Sequence, residues 1–372
     1  MIRFFVISSL LVLSCHTPKN IGMKCASINK EVQANYGSDL ILRTAAFPNR
    51  GLLKYRQFFS DEGRVFQSEL SQKNILYIYG QDVEDAAEIV FRDSSMVQKI
   101  SLSPTVGLKS LSKNLHLILS ETTLFLVNAK GELLKEKDFS SEYKGLFFGG
   151  IYGPYMAYNK EFNTLYFFND MRRTGYNLDL CQLSIPDLEI TDLGIKAPNA
   201  KLNYGFYSMP YLTAGKNEII VSYPYDEILY AYNYTSLQKR NICAGSNYFE
   251  PMTVPAKGWN NTERMDHKFS EPFFSPLLFV EKSNKYVRFY FKRKNLFESC
   301  LNQAYRINGR QASIVEYDSL LSPLKEFNLN DSVYSPQVFS GDNGVYYSQI
   351  YCNNTEYNAD FHPFRFVKIT PK

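Results

Sequence analysis

"EIIVSYPYDEILYAYN", Glu218 to Asn233, holds two short runs of β-branched and aromatic residues separated by a polar turn. The runs Glu218–Pro224 and Ile228–Asn233 read as strands, because such side chains fit a pleated, half-buried surface and the turn residues between them break it. Similar runs occur at 74–79, 115–120, 123–128, 164–169, 286–292, 312–318, 344–350 and 364–370. Polar turns such as "NAKGE" at 128–132 and "SGDNG" at 340–344 supply the Asn, Asp and Gly that tight hairpins need. Only Val83 to Val90 suggests a helical period. The chain reads as all-β.

One strand type recurs, beginning at Asn74, Leu115, Thr164, Glu218, Tyr286 and Gly344. Units of about 40 to 60 residues with three or four short strands each read as propeller blades, since the two sheets of a sandwich do not repeat at that interval. Six units predict a six-bladed β-propeller. Closing the ring removes sheet edges, so Glu31 to Gln67 is expected to supply a closing strand, at Leu40 to Phe47, and the rest of the first blade. Thr123 to Phe139 is the best-defined outer hairpin.

The start of the chain has a different character. Arg3 is the only charge before Lys19, and an apolar run from Phe4 to Leu13 ends against Cys15. That run has signal-peptide length and is too short to span a bilayer. "VLSC", Val12 to Cys15, resembles a bacterial lipobox, with Val12 where leucine is more usual. The resemblance implies that Cys15 is acylated and becomes the first mature residue. Two or three acyl chains hold a protein at a membrane where one does so only marginally. The expected organisation is a lipoprotein signal peptide at 1–14, a tether at 15–30 and a single propeller domain at 31–372. Residues 16–24 carry Lys19 and Lys24 and no acid. Surface-exported lipoproteins of some Gram-negative bacteria resemble one another in acidic residues after the cysteine, so this start implies a periplasm-facing anchor in the cell envelope.

The chain holds 28 Tyr, 28 Phe and one Trp, with a net charge of +4 and no dense basic run, which argues against nucleic acid as a partner. Five cysteines remain beyond Cys15, at irregular spacing without a C-x-x-C pair. They are neither a disulfide scaffold nor a zinc pattern; Cys300 with Cys352 is one conceivable bridge, and isolated buried thiols are the other reading.

"SYPYDEILYAYNYTSLQKRNICAGSNYFEP", Ser222 to Pro251, resembles the blade of TolB-like six-bladed propeller lipoproteins, with its Tyr-x-Tyr-Asn strand end and its Gly-Ser before an aromatic residue. "EPFFSPLLFVEKSNKYVRFYFKR", Glu271 to Arg293, is similar to the segment that follows there, although its turn at Glu281 to Asn284 lacks an aspartate. That group has no assigned function, so the resemblance implies fold and anchoring without chemistry.

Chemistry-bearing patterns are sparse. The four histidines are His16, His116, His267 and His362, and neither a metalloprotease, nucleophile-elbow, P-loop nor dinucleotide motif is present. No catalytic residue, metal site or cofactor is assigned. The most distinctive connection is Gly245 to Pro276, with four prolines and the lone Trp259. Trp259, Arg264 and His267 are candidate contacts to a ligand or partner, against the plainer reading that Trp259 pins an excursion onto a blade. Tyr204, Tyr207, Tyr211, Tyr223 and Tyr248 read as packing between blades. His116 reads as a structural histidine within a strand. "DSL" at 318–320 and "DSV" at 331–333 resemble a short acceptor motif of periplasmic O-glycosylation, which marks Ser319 and Ser332. The expected function is a binding or protein-interaction module with an envelope protein or glycan as partner. The alternative is a propeller enzyme that acts on a carbohydrate or lactone through carboxylates gathered at the ring axis.

Overall fold

The computed structural model describes Cys25, Ile28 and residues 53–62, 64–103, 106–120, 123–139, 155–168, 179–198, 204–294, 309–349 and 364–369. The expected signal peptide, most of the tether and the strand at 40–47 lie outside these residues.

The first blade is β1 (Leu53–Asp61), β2 (Arg64–Ser71), β3 (Ile75–Tyr79) and β4 (Ala87–Val90), antiparallel and in chain order. Helix α1 (Ser94–Leu102) leads to the second, β5 (Val106–Ser112), β6 (Leu115–Ser120), β7 (Thr123–Asn128) and β8 (Leu133–Asp138). The third is β9 (Met156–Asn159), β10 (Thr164–Phe168), β11 (Asp179–Ser184) and β12 (Glu189–Lys196). The fourth is β13 (Tyr211–Ala214), β14 (Glu218–Ser222), β15 (Ile228–Asn233) and β16 (Lys239–Cys243). After α2 (Asn261–Ser270), the fifth blade opens with a broken first strand, β17 (Phe273–Phe274) and β18 (Leu278–Val280), both paired with β19 (Lys285–Phe291). β20 (Gly309–Tyr317) follows. The long β21 (Pro323–Gly341) then serves two blades, pairing with β20 through its first part and with β22 (Gly344–Gln349) through its last. β23 (Phe364–Lys368) adds to β22 in the sixth blade.

The arrangement is the expected six-bladed propeller, and its core explains why strands specify it. Successive side chains point to opposite faces of a strand, so each blade can pack on both neighbours. In β7, Phe125 and Val127 join the core shared with the first blade, whereas Leu124 and Leu126 join the core shared with the third. Among the described residues six buried clusters result, one between each pair of neighbouring blades. The ring closes where β1 meets β21, through Phe58 stacked on Phe339 at 4.4 Å between ring centres, with Val65 and Tyr346 beside them.

Two sequence expectations need correction. Five of the six recurring strands are second strands, but Asn74–Tyr79 corresponds to β3, the third strand of its blade. The true second strand, β2, hides because its centre is polar: Gln67 Nε2 donates to Glu69 Oε1 at 2.7 Å, the Tyr79 hydroxyl donates to Glu69 Oε2 at 3.1 Å, and Ser110 donates to Ser68 at 2.9 Å. Val83–Val90 forms a short 3-10 turn and β4 instead of an α-helix. β4 has only Ile89 buried while its neighbours in sequence are half-buried or exposed, and that spacing imitates a helical stripe.

Candidate binding face at the junction of the fourth and fifth blades

The connection from the fourth to the fifth blade is an excursion with structure of its own. Its helix α2 starts on a capping box, with Glu263 N–H donating to Asn260 Oδ1 at 3.0 Å and Asn260 N–H donating to Glu263 Oε2 at 2.7 Å. Its far end is held from below. The buried Arg310 guanidinium donates to the Ser270 and Lys268 carbonyls at 3.2 Å each, the Tyr207 hydroxyl donates to Lys268 O, and Lys294 N–H donates to Ser270 O at 2.8 Å. Carbonyls at a helix end have no partner within the helix, so these donors fix the helix to the ring. Burial pulls the Arg310 pKa down, and Tyr207 and Glu271 oppose that pull. Glu271, itself buried, accepts from Thr253 N–H at 2.7 Å and pairs with Arg293.

The three candidate contact residues meet in this excursion. His267 is buried, and its Nε2 lies 2.6 Å from the Thr253 carbonyl. Because a carbonyl only accepts, Nε2 carries the hydrogen. The ring also meets Trp259 edge-on at 5.5 Å and Tyr207 at 6.1 Å. Arg264 is exposed and its Nε donates to the Trp259 carbonyl at 3.2 Å. His267 thus faces the ring as a fastening, while Arg264 and half-buried Trp259 stand at the surface with exposed Val254 and Met265.

Under the excursion lies Arg288 of β19, a residue the sequence marks only as a charge within an aromatic strand. Fully buried, it donates to Tyr223 O at 2.7 Å, Asp226 O at 3.1 Å and Ser275 O at 3.2 Å, and lies 4.0 Å over the Phe274 ring. Ser275 is available because β17 and β18 are separated there. Burial lowers the Arg288 pKa to about 10. Nearby Glu227, half-buried, is raised to about 7 by burial first and then by Asp226, against the attraction of Arg288.

Tyr207 and Tyr223 belong to the core between the third and fourth blades and Tyr204 packs against it, as expected, and two of the hydroxyls find backbone partners. Tyr223 donates to the Pro198 carbonyl and Tyr207 to that of Lys268. Tyr204 stacks on Tyr225 at 4.0 Å and Tyr211 on Tyr155 at 5.9 Å, while Lys292 stands 3.9 Å over Tyr248. His116 is buried with Nδ1 3.0 Å from Ser110 Oγ, and burial lowers its pKa to about 4.

The structure adds a disulfide that spacing did not reveal: Cys25 to Cys243, with Cα atoms 5.2 Å apart and a sequence separation of 218. Three residues on, Ile28 is buried among residues of the fourth and fifth blades, its N–H donating to Asn247 Oδ1 at 2.7 Å and its carbonyl accepting from Asn247 Nδ2 at 3.1 Å. Cys181 is a buried free thiol. Cys15, Cys300 and Cys352 lie outside the described residues. Ser319 is exposed in the turn between β20 and β21, where Asp318 Oδ1 accepts from Leu320 and Ser322 N–H groups at 2.9 and 2.8 Å. Ser332 is half-buried within β21, opposite Gln311. Among the described residues no group of three or more His, Cys, Asp or Glu is placed to hold a metal ion, and no helix is long and apolar enough to cross a membrane.

The solved structures similar to this chain support the fold. A member of the DUF4221 family from Bacteroides vulgatus aligns with a TM-score of 0.62 at 14% identity, over 91% of this chain and 99% of its own. A candidate exported protein of Bacteroides fragilis aligns with a TM-score of 0.51 at 11% identity, over 93% of this chain and 100% of its own. No family model matches the sequence, and no curated protein does. The fold is that of a six-bladed β-propeller.

Proposed function

We propose that this protein is a lipid-anchored, periplasm-facing propeller of the TolB-like kind that serves as a binding or protein-interaction module in the cell envelope. The observation that carries the reading is the excursion at 244–272. Arg310, Tyr207 and Glu271 fix it to the ring, while Trp259, Arg264, Val254 and Met265 stand at its surface. A rigidly held loop that presents an aromatic, a cation and apolar side chains is the arrangement recognition sites use. The lipobox-like start supports anchoring through Cys15, and the similarity to a candidate exported protein supports an envelope location.

Two variants of the full chain test the reading. Cys15→Ala is expected to move the protein from the membrane fraction to the soluble fraction, and unchanged retention would sink the anchor. Protein recovered from native envelope is expected to bring down a near-stoichiometric protein or glycan that Arg264→Glu loses; recovery that is indifferent to this substitution would remove the excursion from the site.

A further inference from the structure

Cys25 and Ile28 precede the first blade in sequence, yet they are seated at the junction of the fourth and fifth. The seat reads them as a peptide. The Asn247 side-chain amide takes both the N–H and the C=O of Ile28, the two-point main-chain recognition by which extended peptides are held. The Ile28 side chain, 9% exposed, joins a buried cluster with Leu229, Ala244, Leu277 and Tyr317. Asn247 is itself prepared for this task. Its N–H donates at 2.8 Å to Oε2 of the fully buried Glu326, whose Oε1 accepts from Ser246 and Ser313. These contacts are made by Cys25 and Ile28 themselves.

We propose that this groove is a peptide-binding site and that Cys25–Ile28 is its intramolecular ligand. The partner it fits is an extended peptide with a cysteine and, three residues later, an apolar side chain. It enters by disulfide exchange: the incoming thiolate attacks Cys243 Sγ, the bond to Cys25 breaks as the new one forms, and Cys25 leaves as a thiolate that takes up the proton of the incoming thiol. No net oxidant is consumed. The proposal rests on the binding-module reading but places the contact at the groove, away from Arg264.

The test uses the full chain carrying Cys25→Ser and Ile28→Asp, which leaves the groove vacant and Cys243 as a thiol. The probe is a labelled peptide with the sequence of residues 24–31 in a glutathione buffer. Capture joins the peptide thiol to Cys243 while one oxidised glutathione becomes two reduced ones, and peptide mapping reads the attachment. Burial of an isoleucine contributes about 1.5–3 kcal/mol, so capture is expected to fall at least about tenfold when the probe carries Asp at the Ile28 position. Asn247→Ala in the protein is expected to lower it about fivefold. A disulfide-linked dimer of the unsubstituted chain in the same buffer, mapped as Cys25 to Cys243, would support the site and identify a second copy as the donor. Equal capture of both probes, or no capture by a variant that melts cooperatively, would overturn the proposal. Should the double variant fail to fold, Cys25→Ser alone gives the same comparison of probes at higher peptide concentration. A protein that fails here but still recovers an Arg264-dependent partner would lose the groove and keep the excursion.

Discussion

Arg288 and Glu227 show how one blade interface treats two opposite charges. Arg288 is fully buried and keeps its charge because three carbonyl oxygens surround it. Glu227 is only half-buried, and burial together with Asp226 raises its pKa to about 7 from an ordinary 4.5. A group whose folded pKa is raised binds more protons in the native than in the unfolded state between those values, so stability falls as pH rises through that window. Below about 4.5 both states are protonated, and above about 7 neither is, so the slope is confined between them. Glu227→Gln is therefore expected to flatten the dependence of the urea midpoint on pH from about 4.5 to 7 and to raise it at pH 8; an identical slope in both proteins would contradict the assignment. His116 works in the opposite sense. Its folded pKa of about 4, against an ordinary 6.5, removes stability as pH falls through that interval.

At the scale of elements, legibility followed burial. β6, β10, β14 and β19 are buried almost throughout, because both their faces pack against neighbouring blades, and their positions could be read from composition within a residue or two. α2 has a single buried residue, His267, so no apolar stripe announces it. Its one sequence signal was the Asn260-x-x-Glu263 capping pair. Trp259, Arg264 and His267 could be picked out by their company in a proline-rich connection. Arg310, which holds α2 to the ring, could not, because it sits in a strand far along the chain. The Cys25–Cys243 pairing was equally hidden: a contact across 218 residues leaves no local pattern. Arg310→Met keeps the length of the side chain and withdraws its donors from Lys268 and Ser270. The expected cost is about 2–4 kcal/mol, with faster protease cleavage inside the excursion and an unchanged far-UV spectrum of the sheets. Cleavage at the rate of the unsubstituted protein would show that Tyr207, Lys294 and Glu271 suffice.

Among the described residues, five interfaces carry ten or more buried hydrophobic residues, and at the seam between the sixth and first blades Val65 and Phe339 are buried, with Phe58 and Tyr346 against them. The stacked rings of Phe58 and Phe339 lie across this join. Phe339→Ala is expected to cost about 3–5 kcal/mol and to speed hydrogen exchange in β1 and β22 well before β10. Uniform acceleration around the ring would mean that the propeller opens everywhere at once.

The bond between Cys25 and Cys243 also sets an order of events during biosynthesis. Cys25 emerges from the ribosome 218 residues ahead of its partner, so it must wait while three blades and most of a fourth are made. Cys181 is made in that interval and is the wrong partner. In the finished fold its side chain is fully buried between the second and third blades, out of reach of a thiolate. Early blades that fold before Cys243 arrives are expected to shield Cys181 and so to favour the pairing that the finished fold shows.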